Sequence, residues 1–139
     1  MLRAYRIADQ FGCIHDREEV AAGPALYVVA DRHGATALAE WTRGLRAADV
    51  HGVVPVVPVV SLPGIPRPLR GAIRRMLPRA PEAWALVDFD GAFDAVAVRG
   101  AACTVAVVAP SGEVIARSGV GAFQVDEAAA LVARAVALR

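Results

Sequence analysis

One stretch near the amino terminus restricts the fold of this chain more than any other. It runs from Ala25 to Trp41 and reads ALYVVADRHGATALAEW. Its first six residues, Ala25 to Ala30, are an uninterrupted apolar run bounded by Pro24 and Asp31. This pattern is typical of a strand that is covered on both faces of a sheet.

The apolar spacing changes from strand period to helix period after this strand. Leu38, Trp41 and Leu45 recur at helical intervals, while polar residues occupy the other face. We therefore predict a helix from Thr36 to about Ala48.

The strand and the helix are joined by Asp31-Arg32-His33-Gly34-Ala35. In open α/β sheets, ligands and chemistry lie where a strand ends and a helix begins, because free backbone N–H groups there favour an anion. This junction is therefore the first candidate site.

Length and charge exclude several classes of protein. A chain of 139 residues with 56% apolar residues predicts a single domain, which we divide into an amino-terminal hairpin extension (1–24) and a core (25–139). Fifteen arginines, no lysine and fourteen acidic residues give a net charge of +1. This balance carries no electrostatic signature of a nucleic-acid or membrane partner.

The chain carries no visible targeting signal. Its amino terminus lacks the apolar core of a secretory signal, and the most apolar run, Val53 to Leu62, is short and broken by Pro55 and Pro58. We expect a cytoplasmic protein, in which Cys13 and Cys103 are free thiols.

The remaining chain predicts an α/β fold with a mixed sheet and helices on both faces. Proline lacks a donor for the sheet, so we expect the strand at Val53–Val60 to lie at an edge or to pair on one side only. The other predicted elements are a hairpin with its turn at Asp9–Gly12, a helix near Leu69–Leu77, a strand at Trp84–Phe89, a short helical turn at Ala92–Val98, a hairpin at Thr104–Arg117 and a helix from Asp126.

Two charged groups have two interpretations each. Five arginines between Arg67 and Arg79 form the one basic cluster, which is either a solvated helix face or an anion site. Asp88 and Asp90 could act as an acid/base pair, but their place before Gly91 suits a turn and cap better.

In this order of elements the chain resembles the thioredoxin-like superfamily, and within it the redoxin group of alkyl hydroperoxide reductase and thiol-specific antioxidant proteins. Three segments carry the resemblance: Asp9–Gly12 followed by Gly23–Val29, the Val87–Phe93 segment VDFDGAF, and the hairpin TVAVVAPSGEVIAR at Thr104–Arg117. The resemblance implies a three-layer α/β/α domain with an amino-terminal β-hairpin.

The chain departs from that family at the redox site. Where the family has Cys-x-x-Cys or a single peroxidatic cysteine, this chain has His33-Gly34-Ala35-Thr36, and Cys103-Thr104 replaces the Pro-Thr pair that packs against the site. Dithiol exchange needs two sulfur atoms within bonding distance, and the site has lost both.

The resemblance brings Cys103 close to His33. A thiol beside an imidazole and a helix amino terminus would have a lowered pKa and could react alone, whereas a buried Cys103 would act only as a small apolar side chain. A metal site built from His33, Cys103 and Asp31 or His15 lacks any known ligand spacing, so we expect neither a metal nor a cofactor.

Two hypotheses follow. The first is a degenerate module that binds a protein or a small ligand through the surface that corresponds to the family's redox site. Its contact residues would be Arg32, Gly34, Thr36 and Thr104. The second is a single-cysteine oxidoreductase that acts on a small thiol or a peroxide through Cys103, with His33 as its base. Both are compatible with a homodimer.

Overall fold

The computed structural model describes residues 1–139 and contains a two-stranded hairpin and a five-stranded sheet. The strands are β1 (Arg6–Ala8), β2 (Ile14–Asp16), β3 (Ala25–Ala30), β4 (Val56–Ser61), β5 (Leu86–Asp88), β6 (Cys103–Val108) and β7 (Val114–Gly119). The helices are α1 (Arg17–Ala21), α2 (Ala35–Ala48), α3 (Arg67–Met76) and α4 (Val125–Val136), with a 3₁₀ turn at Pro81–Ala83. None of these helices is long and apolar enough to cross a membrane.

Strand β3 is the centre of the main sheet, whose order is β5-β4-β3-β6-β7. It pairs in parallel with β4 and antiparallel with β6, and all six of its residues are buried. The predicted central strand and the helix that follows it are both confirmed, with the helix beginning at Ala35.

The two faces of β3 contact different parts of the chain. One face packs against α2 and α4 through side chains that include Trp41 and Leu131. The other packs against the amino-terminal segment and the turn near Phe93, where Leu2 and Tyr5 are buried. Helix α3 buries none of its residues, so its surface is available to solvent or to a ligand.

The prediction that β4 lies at an edge is wrong, because β4 pairs with both β3 and β5. The Leu26 N–H donates to the Pro55 carbonyl, so alternation along the strand turns the backbone nitrogen of Pro58 toward β5. Strand β5 begins only opposite Val59. The missing donor of Pro58 therefore falls just outside the β4–β5 ladder and interrupts neither pairing.

The terminal elements match the sequence expectations. The β1–β2 and β6–β7 hairpins and α4 are present, and turns occupy residues 92–96 of the predicted short helical turn. The Asp88 carboxylate accepts from the N–H groups of Asp90, Ala92 and Phe93 at 3.0–3.2 Å. Asp88 therefore acts as the turn-forming residue that its position before Gly91 predicted.

Candidate functional site at the start of helix α2

The candidate site is a tight turn between β3 and α2. The Gly34 N–H donates to the Asp31 carbonyl at 3.0 Å, and the His33 N–H donates to the Asp31 carboxylate at 2.8 Å. Gly34 is the residue that caps α2, and no side chain accepts from the first-turn N–H groups. This end of α2 therefore keeps backbone donors free for an acceptor from outside.

The backbone that leads into β6 packs directly against this turn. The Ala102 carbonyl accepts from the Asp31 N–H at 2.9 Å and lies directly beneath Gly34. A Cβ atom on residue 34 would overlap this carbonyl oxygen and would also press on Ala30. Glycine is needed here because of this close approach, not because of its backbone angles.

We predict that Gly34→Ala lowers the free energy of unfolding by about 1–3 kcal/mol, since backbone must move to admit the methyl group. The matched control is Gly23→Ala, where a Cβ meets nothing within 4 Å and φ is not positive, and where we expect a change within about 0.5 kcal/mol. Chemical denaturation of both variants measures the difference. Equal effects would contradict the role of the Ala102 contact.

Cys103 lies beneath the turn and not in it. It pairs in register with Ala30, has no exposed surface, and packs in the same core face as Val105 and Val107. Burial, assisted by the negative charge of Asp31, raises the pKa of the Cys103 thiol to about 11. Of the two interpretations of Cys103, the small apolar side chain agrees with this position, because the strand turns the side chain into the core.

The other predicted site residues divide into two sets. Arg32, His33 and Thr36 are exposed around the buried Gly34, and we call these four residues the junction face. The Arg32 Nε–H donates to His33 Nε2 at 3.1 Å, and no hydrogen bond joins His33 to the Cys103 thiol. Thr104 is fully buried, and its hydroxyl accepts from the Val98 N–H at 2.9 Å.

A second polar cluster joins the amino-terminal hairpin to the segment that leads into β5. Its members are Asp9, His15, Glu19 and Trp84, and sequence reasoning did not identify them as a unit. The His15 ring lies between the buried carboxylate of Asp9 at 2.8 Å and that of Glu19 at 3.0 Å. The Trp84 indole N–H also donates to Asp9, at 3.0 Å. The spacing of four residues from His15 to Glu19 was the available signal.

His15 and Asp9 each favour the charged form of the other. Burial alone would lower the pKa of His15, but the hydrogen bonds that its ring donates to the carboxylates of Asp9 and Glu19 outweigh burial and raise that pKa. Burial likewise opposes ionisation of Asp9, but the bonds it accepts from His15 and Trp84 hold its pKa below the usual value. A cavity of about 520 Å³ opens beside the cluster, at the amino-terminal end of β4.

We predict that His15 and Asp9 make the free energy of unfolding depend on pH, in opposite directions. The contribution of His15 is complete below its unfolded pKa near 6.5 and is lost as pH rises through the raised pKa of the folded state. The contribution of Asp9 is lost instead as pH falls through its lowered pKa. In His15→Gln, the decline of unfolding free energy between about pH 6.5 and about pH 8, below the range in which the Cys103 thiol titrates, should largely disappear.

The control for this measurement is His51→Gln, since His51 is exposed and makes no ion pair. Unfolding by urea at a series of pH values gives both profiles. A His15→Gln profile that kept the wild-type slope would show that His15 does not set the pH dependence of the unfolding free energy.

Comparison with known proteins identifies the fold but no sequence family. No family model and no curated protein matches the chain. Solved structures match it over nearly its whole length. The thioredoxin Etrx1 of Streptococcus pneumoniae, an exposed lipoprotein, has a TM-score of 0.71 and 14% identity, covering 95% of this chain and 99% of that one.

Two further structures agree. MTB DsbF, in mixed oxidised and reduced forms, has a TM-score of 0.62 and 20% identity over 94% of both chains. Yeast Sco1 with bound copper has a TM-score of 0.65 and 11% identity, covering all of this chain and 94% of that one. The chain therefore has the thioredoxin-like α/β fold that the sequence resemblance implied.

Proposed function

We propose that this chain is a redoxin-type, thioredoxin-like binding module that has lost thiol catalysis and contacts its partner through the junction face. The observation that carries the proposal is the position of its thiols. The first turn of α2 contains no cysteine. Cys103, which pairs with Ala30 at the end of β3, is fully buried, and its thiol has a pKa of about 11. Thiol exchange at this site needs an accessible thiolate, which the burial of Cys103 withholds.

The junction face retains features that suit binding. Arg32 is exposed beside the free N–H groups of the first turn of α2, so donors and positive charge lie together. Both favour a negatively charged group. We therefore propose that the partner presents an acidic residue or another carboxylate to this face.

We predict that a short glutamate-rich peptide binds the junction face, and that Arg32→Gln weakens binding about two- to fivefold, as expected for an exposed charge. The control is Arg43→Gln, an equal charge change at an exposed position of α2. NMR titration of the labelled protein should show saturable shifts centred on residues 32–36. The proposal fails if no such shifts appear or if both variants weaken binding equally.

The alternative, a single-cysteine oxidoreductase, makes a different prediction for the same protein. Peroxide or disulfide turnover that disappears in Cys103→Ser would favour catalysis over binding. The exposed Cys13 is removed in both proteins, so that its thiol does not contribute.

A further inference from the structure

Helix α3 presents a concentrated positive charge that the fold neutralises only in part. Arg67, Arg70 and Arg74 follow one another at spacings of three and four residues, which places them on one face of the helix. Asp90 is the one carboxylate within ion-pair distance of any α3 arginine. The helix therefore carries more positive charge than its surroundings balance.

Two of these arginines are held in place by an aromatic ring. The guanidinium carbons of Arg70 and Arg74 lie 5.2 Å and 5.1 Å from the centroid of the Phe89 ring, which is itself buried. Cation–π attraction to one ring limits where the two guanidinium groups can move. Phe89 therefore keeps both groups close to the same part of the surface.

The hydrogen bonding of the two arginines is unequal. Arg70 donates from Nε to the Ile65 carbonyl at 3.1 Å and from Nη2 to the Asp90 carboxylate at 3.0 Å, which leaves Nη1 free. Arg74 donates to no protein acceptor, and its Nε is completely covered without a partner. A ligand cannot reach the covered Nε, but both Nη groups of Arg74 also lack a protein acceptor and are not covered, so they can donate to a ligand from outside.

We propose that Arg70 and Arg74, supported by Phe89, bind a phosphate group. The planar guanidinium fork matches the oxygens of a phosphate, and a dianion balances two neighbouring guanidinium groups better than one carboxylate does. Phe89 follows the end of β5, so this site lies at the same edge of the sheet as the junction face, two strands away. The proposal does not depend on the function proposed for that face.

The experiment is a titration with inorganic phosphate at constant ionic strength, followed through the side-chain Nε–Hε NMR signals of Arg70 and Arg74. We expect saturable shifts in the millimolar range, and weaker binding of acetate. Arg74→Gln should weaken phosphate binding about tenfold or more, the size expected for charge-assisted hydrogen bonds. Asp90→Asn should tighten binding, because it releases Arg70.

Arg134→Gln is the matched control, since it removes an exposed arginine from α4 and changes the net charge equally. No residue of α3 is fully buried, so the Arg74 variant should keep the wild-type backbone spectrum. The proposal is overturned if phosphate gives no saturable shift, or if Arg134→Gln weakens binding as much as Arg74→Gln. Repeating the titration with glycerol 3-phosphate distinguishes a phosphate ester, which we expect to bind at least as tightly, from free phosphate.

Discussion

The contact between the Ala102 carbonyl and the turn before α2 determines the character of the candidate site. This single oxygen accepts from the Asp31 N–H and fills the space that a side chain at residue 34 would need. The next residue, Cys103, then enters β6 with its side chain in the core, among Leu26, Val105 and their neighbours. The closed turn and the inaccessible thiol therefore have one cause, the antiparallel pairing of β3 with β6.

The amino-terminal hairpin depends on polar contacts as well as apolar burial. Gln10 is buried, donates to the Ala83 carbonyl at 2.7 Å and accepts from the Ala85 N–H at 3.0 Å. Together with the Asp9 and His15 cluster, this amide fixes the hairpin against the segment that leads into β5. Buried polar groups that are fully paired specify one docking geometry, whereas an apolar contact alone would tolerate several.

The sequence allowed a correct prediction of the elements whose pattern is local. Six consecutive apolar residues and a change of period were enough to define β3 and α2. The position of β4 was not accessible in this way, because the effect of Pro58 depends on which neighbouring strand its nitrogen faces. The alternation of Cys103 with Val105 and Val107 places all three on one face, which favours the buried interpretation of this thiol over the reactive one.

The basic helix illustrates a similar limit. Spacing along α3 predicts which arginines share a face, but the ring that holds Arg70 and Arg74 comes from Phe89, which lies after another strand. Contacts between residues so distant in sequence follow from sheet order, which the pattern of one helix does not contain. That the basic helix and the junction face lie at the same edge of the sheet became visible only once that order was known.

The accessibility of the Cys103 thiol is tested most directly by its rate of alkylation in the folded Cys13→Ser protein as a function of pH, repeated after His33→Ala. We expect a thiol that stays unreactive near neutral pH until the protein unfolds, with no effect of His33. A rapidly alkylated thiolate, with an apparent pKa below the reference value of ~8.5 that rises when His33 is removed, would contradict this expectation and restore the single-cysteine enzyme.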